Sequence, residues 1–221
     1  MSKNEIETID GYWHIPQNYR KVEWNEYEKV IETFYEKIED YLAKNKKTVD
    51  VVVPILRGGM VPANYLVYRL KLLRVIPIQY KYLDDENGDY LKQILPFNPY
   101  DLEENATILL VDNHHGTGLQ AETAAEEIKK VLPNATIIYA SAYMDVSNQN
   151  NKNACEIIFG ELTNSTVSLT PKECEEKGVE FKVPYFPWES IEEEAYINKD
   201  TTFEYSDEKK LVKSCKTVHK F

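Results

Sequence analysis

The chain has 221 residues, enough to bury a substantial core within one domain. Its 26 Lys and Arg residues against 37 Asp and Glu residues give a formal net charge of −11, which argues against nonspecific binding to nucleic acid or to an anionic membrane. The odd number of cysteines, three, and their lack of zinc-type spacing argue against a disulfide framework or a structural metal site. Because the sequence shows neither an export signal nor a run of about eighteen apolar residues, we expect a cytoplasmic protein.

Helical periodicity predicts a first helix that opens near Trp24. Asn25 is expected to cap this helix, and the Glu28 side chain, three residues later, is expected to accept from the Asn25 backbone N–H, as in a capping box. The apolar residues that recur at helical spacing are Tyr27, Val30, Ile31, Phe34, Tyr35, Ile38, Tyr41 and Leu42. We therefore expect one face of this helix to pack against a core.

Strands and helices then alternate along the chain. Strands are predicted at 49–55, 75–82, 106–112, 135–143 and 156–160, and helices at 61–72 and 121–132. Several of the strand segments have no polar face, which is typical of strands covered on both sides. The acidic segment 83–104 contains Gly88, Pro96 and Pro99 and is interpreted as a mobile excursion. The alternation predicts an α/β fold with a doubly wound, mainly parallel sheet.

Glycine-bearing loops follow two of these strands. The first loop consists of Leu56, Arg57, Gly58 and Gly59. The second consists of Gly116, Thr117, Gly118, Leu119 and Gln120. The second loop opens a helix, so its backbone N–H groups can form a nest for a phosphate. Because ligands bind beyond the carboxyl ends of the strands in open α/β sheets, we expect the two loops to form one site.

Polar residues lie between the strand at 106–112 and the second loop. Asp112 brings a carboxylate to the strand tip, where a sugar hydroxyl or a hydrated Mg²⁺ could meet it. Alternatively, Asp112 could cap a turn. His114 and His115 are expected in the loop, either as solvated or structurally bonded residues or as a base, because imidazole titrates near neutrality.

Both loops resemble elements of one family, the type I phosphoribosyltransferases. ILLVDNHHGTG, residues 108–118, resembles the strand and loop that cradle the 5-phosphate of phosphoribosyl pyrophosphate. PILRGGMVPA, residues 54–63, resembles the pyrophosphate-binding loop in its Arg-Gly-Gly form, found in xanthine/guanine and archaeal-type hypoxanthine enzymes. PWE, residues 187–189, resembles the end of the hood that covers the base. The resemblance implies a single domain over 1–221, with a core at about 20–160 and a hood and C-terminal extension at about 161–221.

The resemblance implies transfer of ribose 5-phosphate from phosphoribosyl pyrophosphate to a purine-like nucleobase, with Mg²⁺ as cofactor and pyrophosphate as product. Residues 56–59 would then hold pyrophosphate, and residues 116–120 the 5-phosphate. Asp112 and Asn113 would hold the ribose hydroxyls, with Asp112 also a metal ligand. Lys81 could border a closing lid over 83–104, although a solvated loop is the favoured interpretation of that region. Phe186 and Trp188 are candidate base contacts. A homodimer is expected by analogy.

Several positions depart from the pattern of that family. Asn113 stands where a second acidic residue is usual, and Gly116 where purine enzymes commonly have an aspartate. A hydroxyl residue does not close the loop at Leu119 or Gln120, and no lysine follows the next strand as a reader of the base. His114 or His115 is the hypothesised substitute for the missing base.

Other interpretations of the same residues remain open. Each glycine loop can be an ordinary turn into a helix, and Tyr185, Phe186 and Trp188 can be core residues rather than a base platform. At the level of function, the main alternative is a non-enzymatic module that binds a nucleotide and regulates a partner. A hydrolase of ribosyl phosphates, or a transferase with an unusual acceptor, is a further alternative.

Overall fold

A computed structural model describes residues 19–85, 88–148, 157–165 and 169–189 of the chain. In chain order its strands and helices are β1 (Tyr19–Lys21), α1 (Trp24–Asn45), β2 (Val51–Leu56), α2 (Met60–Arg69), β3 (Ile78–Asp85), β4 (Gly88–Leu95), β5 (Thr107–His115), α3 (Leu119–Val131), β6 (Thr136–Asp145), β7 (Ile157–Thr163), α4 (Pro171–Lys177) and β8 (Val183–Tyr185). The predicted tail from residue 191 lies outside the described residues, as do the cysteines at 155 and 215.

Within the described ranges, the main sheet has six strands in the order β4-β3-β2-β5-β6-β7. Neighbouring strands from β3 to β7 run parallel, and β4 pairs antiparallel with β3 at one edge. The prediction of an α/β fold with a mainly parallel sheet is confirmed.

Apolar side chains of the central strands alternate between the two faces of this sheet. Val52 and Leu109 pack on the face that carries α1 and α2. Val51 and Ile108 pack on the opposite face, together with Ile128 of α3. Because both faces are covered by helices, the strands read in sequence as continuous apolar runs. The prediction of a doubly wound arrangement is therefore also confirmed.

Helix α1 buries the predicted apolar face but begins differently from the prediction. Its buried residues are Tyr27, Val30, Ile31, Phe34, Tyr35 and Ile38, while Tyr41 and Leu42 are half-buried. The predicted capping box at Asn25 is wrong, because Glu23 is the N-cap residue and makes no side-chain capping bond. The backbone N–H groups of Glu26 and Tyr27 donate instead to the Glu23 carbonyl, which starts the helix one residue before Asn25.

Three predicted elements have different limits in the structure. The helix predicted at 61–72 ends at Arg69, and Lys71 beyond it has a φ of 55°. The strand predicted from 75 begins at Ile78, although Val75 forms an isolated bridge to Val52. The predicted excursion over 83–104 contains the end of β3 and all of β4, which form an antiparallel hairpin. The first half of this segment is therefore a hairpin, and the mobility of the segment and its role as a lid stay predictions.

Strands β1 and β8 form a small parallel sheet apart from the main sheet. Tyr19 pairs with Val183, and Lys21 pairs with Tyr185. Neither three-residue strand was predicted, because each is too short to show periodicity. Because β1 directly precedes α1 and β8 directly precedes residues 186–189, this sheet brings the start of α1 close to the aromatic residues of that turn.

No helix in the described part of the chain is both long enough and apolar enough to cross a membrane.

Candidate functional site

The two glycine loops follow the adjacent carboxyl ends of β2 and β5, in the middle of the sheet. β2 and β5 are neighbouring parallel strands, with Pro54 opposite Val111. A Cβ atom built on Gly58 would lie 3.3 Å from Asn113 Cβ and 3.5 Å from Asp112 Oδ1. The predicted adjacency of the two strand tips is confirmed.

The first loop leads from β2 into α2 through backbone that approaches β5 very closely. A Cβ atom on Gly59 would lie 2.4 Å from the Val111 carbonyl oxygen and 2.7 Å from the Ile55 carbonyl oxygen, so only glycine fits there. The peptide bond between Leu56 and Arg57 is cis. The Arg57 side chain is exposed, which leaves its guanidinium available to an anion at this end of the strands.

The second loop provides the N-terminus of α3. Gly118 is the N-cap residue with a φ of 86°, a conformation that favours glycine. Thr117 is exposed, and nothing lies within 4 Å of a Cβ atom built on Gly116. The first turn of α3 contains Leu119 and Gln120, and the first N–H groups of a helix lack intrahelical partners. The loop therefore presents N–H donors and the positive end of a helix dipole to a phosphate.

Asp112 is a buried carboxylate near the end of β5, beside the first loop. Its side chain is 9% exposed, and its Oδ1 accepts a 2.7 Å hydrogen bond from the Asn113 backbone N–H. Burial raises the pKa of Asp112 to about 7, and hydrogen bonds from the backbone of Asn113 and His114 only partly offset that rise. The carboxylate is therefore available to a cation or a hydroxyl only at a cost in solvation.

This raised pKa gives a testable pH dependence for the ligand-free protein. Folding favours the protonated carboxyl, so its contribution to stability is complete below the ordinary pKa of 3.8 and is lost as the pH rises towards about 7. We expect Asp112→Asn to raise the free energy of unfolding at pH 8 by at least about 1 kcal/mol, with little change at pH 4. Urea denaturation in EDTA at both pH values measures this; an equal effect at both would contradict the assignment.

Asn113 is held by a residue that the sequence analysis did not assign to the site. Its Oδ1 accepts a 2.9 Å hydrogen bond from the Tyr27 hydroxyl, and both side chains are buried. Tyr27 lies on the apolar face of α1, where its periodicity indicated only a core residue. No local sequence signal marks a contact between residues 86 positions apart.

The two histidines lie in β5 rather than in the loop, so their predicted placement is wrong. β5 continues to pair with β6 as far as His115, which lies opposite Met144. His114 Nε2 lies 3.0 Å from Thr163 Oγ1, and burial lowers the pKa of His114 to about 4. His115 Nδ1 lies 3.1 Å from the Tyr139 hydroxyl, and burial also lowers its pKa.

These environments weaken both histidines as proton acceptors at neutral pH. His115 in addition packs directly beneath the second loop, since its Cε1 lies 2.8 Å from the position of a Cβ on Gly118. The hypothesis that either one replaces the missing base stays a prediction.

The predicted base contacts are part of an aromatic cluster. Phe186 is 5% exposed and stacks on Trp188 at 5.5 Å between ring centroids, while His114 lies 6.2 Å from Phe186. Trp188 is half-buried. The cluster favours the core interpretation for Phe186 and leaves Trp188 as the more accessible of the two. Lys81 lies in β3, opposite Lys92 of β4.

A cavity of about 600 Å³ lies elsewhere, beside edge strand β7. Its charged lining includes Arg20, Glu26 and Glu161, and none of the residues of the two loops contributes to it. Arg20 already pairs with Glu26 at 2.7 Å and with Glu180. We therefore base the candidate site on the adjoining loops and not on this cavity. Within the described residues, no group of three or more His, Cys, Asp or Glu side chains is arranged to hold a metal ion.

Solved structures with this fold include purine phosphoribosyltransferases. A purine phosphoribosyltransferase from Pyrococcus horikoshii is 22% identical, with a TM-score of 0.57 over 78% of this chain and 95% of that one. A Helicobacter pylori xanthine-guanine-hypoxanthine phosphoribosyltransferase is 16% identical, with a TM-score of 0.54 over 77% and 91%. A hypothetical protein from Neisseria gonorrhoeae with bound ppGpp is 18% identical, with a TM-score of 0.57 over 82% and 96%. At these identities the likeness concerns the fold alone.

Comparisons at the level of sequence give a family. No curated protein matches the sequence. The family model described as the phosphoribosyl transferase domain matches residues 23–168, which include both glycine loops and every strand from β2 to β7. The chain belongs to the phosphoribosyl transferase domain family.

Proposed function

We propose that this protein transfers ribose 5-phosphate from phosphoribosyl pyrophosphate to a purine-like nucleobase and releases pyrophosphate. The observation that carries the proposal is the approach of the first loop to the tip of β5: the position of a Cβ on Gly58 is 3.5 Å from Asp112 Oδ1. Arg57 directly precedes Gly58, and the chain runs from Asp112 through the second loop into α3. A sugar that carries phosphate groups at both ends could contact both loops from this position.

The proposed roles follow from the chemistry of each group. Arg57 stabilises the charge of the leaving pyrophosphate, and Gly58 and Gly59 let the backbone approach it. The loop at 116–120 binds the 5-phosphate, and Asp112 accepts from a ribose hydroxyl. A nitrogen of the base attacks C1 of the ribose while the C1–O bond breaks, and the electron pair of that bond leaves with pyrophosphate. The proton released from the attacking nitrogen passes to solvent.

The residues present fit a magnesium ion that arrives with the substrate. Mg²⁺ keeps several waters and is commonly bound by one or two carboxylates together with substrate phosphates, and Asp112 supplies one carboxylate here. The oxygen of Asn113 is already engaged by Tyr27. When bound, the ion would neutralise pyrophosphate charge. We also propose a cytoplasmic homodimer, by analogy with the family.

The proposal is tested by incubating the protein with Mg²⁺, phosphoribosyl pyrophosphate and, in turn, guanine, xanthine, hypoxanthine or adenine. We expect pyrophosphate release with at least one base, well above the release without a base. The Arg57→Ala variant serves as the matched control for contaminating activity. Failure of the wild-type protein to bind phosphoribosyl pyrophosphate would overturn the assignment.

A second candidate function is a non-catalytic module that binds a nucleotide or a phosphoribosyl ligand and regulates a partner. The specific observation in its favour is the histidine environment: burial lowers the pKa of His114 to about 4, and position 116 is glycine. Binding of phosphoribosyl pyrophosphate or ppGpp without turnover of any base would support this candidate. We include ppGpp as a probe because the Neisseria gonorrhoeae structure contains it.

A further inference from the structure

Asn113 and Tyr27 form a buried polar pair next to the first loop. The Tyr27 hydroxyl donates to Asn113 Oδ1 at 2.9 Å, and the two side chains are 3% and 2% exposed. On its other side, Asn113 Cβ lies 3.3 Å from the position of a Cβ on Gly58. The pair therefore connects helix α1 to the place where the first loop approaches β5.

Ring contacts fix the position of Tyr27. Trp188 meets its ring edge-on at 4.9 Å, and Tyr143 stacks on it at 6.2 Å. Phe186 lies 6.3 Å away. Burial raises the pKa of Tyr27 well above its ordinary value, with further contributions from Tyr143, Glu189 and Asp112. The hydroxyl therefore stays protonated and remains a hydrogen-bond donor over the whole physiological range.

The donor on Tyr27 determines which end of the Asn113 amide faces away from it. An asparagine amide has one acceptor oxygen and one nitrogen that carries two N–H donors. The oxygen and the nitrogen are bonded to the same carbon and point in diverging directions. With the oxygen engaged by Tyr27, the nitrogen points elsewhere, and within the described residues the structure gives it no hydrogen-bond partner. The nitrogen keeps access to solvent, so a ligand oxygen that enters there can accept a hydrogen bond from it.

We propose that Tyr27 is a positioning residue of this site, because it holds the Asn113 oxygen and so turns the amide N–H groups towards the oxygens of a bound phosphorylated ribose. The inference rests on the proposed function and specifies the substrate chemistry at this position. Asn113 would donate a hydrogen bond to an acceptor on the ligand, and its side chain carries no charge. Consequently, it makes no charged contact with a cation, and Asp112 is the carboxylate at this strand tip that does.

A double-mutant cycle tests this inference. The four proteins are wild type, Tyr27→Phe, Asn113→Ala and the double variant, and the readout is the dissociation constant for phosphoribosyl pyrophosphate by calorimetry in excess Mg²⁺. We expect Tyr27→Phe to weaken binding about three- to tenfold, as for the loss of one buried hydrogen bond. In the Asn113→Ala background the same change should have no further effect, because Tyr27 acts only through Asn113.

Controls separate positioning from general destabilisation. Tyr35→Phe removes another hydroxyl from the buried face of α1, away from the loops, and should leave the dissociation constant unchanged. Unfolding by urea confirms that each variant is folded, and Asn113→Ser replaces Asn113→Ala if the latter is not. Equal weakening by Tyr27→Phe in both backgrounds, or no weakening in the wild-type background, would overturn the inference alone. Absence of binding by the wild-type protein would overturn the proposed function as well.

Discussion

Replacing Gly59 with alanine is expected to destabilise the protein and to abolish binding of phosphoribosyl pyrophosphate. The added Cβ would lie 2.4 Å from the Val111 carbonyl oxygen, 2.7 Å from the Ile55 carbonyl oxygen and 2.9 Å from the Ile55 nitrogen. All three are backbone atoms of central strands, so the clash cannot be relieved by a side-chain rotation. Overpacking of a rigid site costs roughly 1–3 kcal/mol or more, and we expect the upper part of that range.

The expected loss of binding follows from which part of the structure can move to relieve the clash. β2 and β5 are held by parallel pairing on both sides, so the first loop is the part that moves away. That movement separates Gly58 from Asp112. Urea denaturation measures the loss of stability, and calorimetry with phosphoribosyl pyrophosphate measures the loss of binding.

Gly116→Ala is the matched control for stability. Nothing lies within 4 Å of a Cβ at that position, so its free energy of unfolding should stay close to that of the wild-type protein. If Gly59→Ala were as stable as Gly116→Ala and bound ligand normally, the close approach of the first loop to β5 would not be a requirement of the site.

Replacing Arg57 with alanine is expected to weaken binding of phosphoribosyl pyrophosphate about 10- to 100-fold, the range for loss of a hydrogen bond to a charged group. Binding of ribose 5-phosphate, which lacks the pyrophosphate, should be unchanged. The reason is geometric: Arg57 is in the first loop, whereas the 5-phosphate is assigned to the N-terminus of α3. Calorimetric titration of both ligands against both proteins gives the comparison.

Arg74→Ala controls for the loss of one positive charge from an acidic protein. Arg74 is exposed and pairs with Asp101 at 2.9 Å, and neither residue belongs to the two loops. Its removal should change neither dissociation constant. Equal weakening of both ligands by Arg57→Ala would mean that the guanidinium contacts the 5-phosphate or supports the loop, and the assignment of the pyrophosphate end would be wrong.

The site combines one buried carboxylate with hydrogen-bond donors. The donors are the exposed guanidinium of Arg57, the first N–H groups of α3 and, by our inference, the amide of Asn113. The buried carboxylate of Asp112 has a pKa raised to about 7, so an approaching cation or hydroxyl would favour its ionised form. We therefore expect affinity at this site to depend chiefly on anionic groups of the ligand.

Local sequence determined the central strands, the apolar face of α1 and the two loops. Strands buried on both faces have to be apolar throughout, which is why β2, β5 and β6 could be recognised without knowledge of their neighbours. Glycines at 58, 59 and 118 fall where backbone must approach another strand or take a positive φ, and both constraints act on the residue itself. The adjacency of the loops followed from the parallel order of the strands.

Contacts between distant segments were decided only by the tertiary structure. The hydrogen bond from Tyr27 to Asn113, the burial of Phe186 and the pairing of β1 with β8 all join parts of the chain that share no local pattern. The continuation of β5 through His115 depends on the partner strand β6, since a polar sequence becomes a strand when its backbone groups are paired. Periodicity reports which face of an element is buried, but the side chain that it meets there is set by packing.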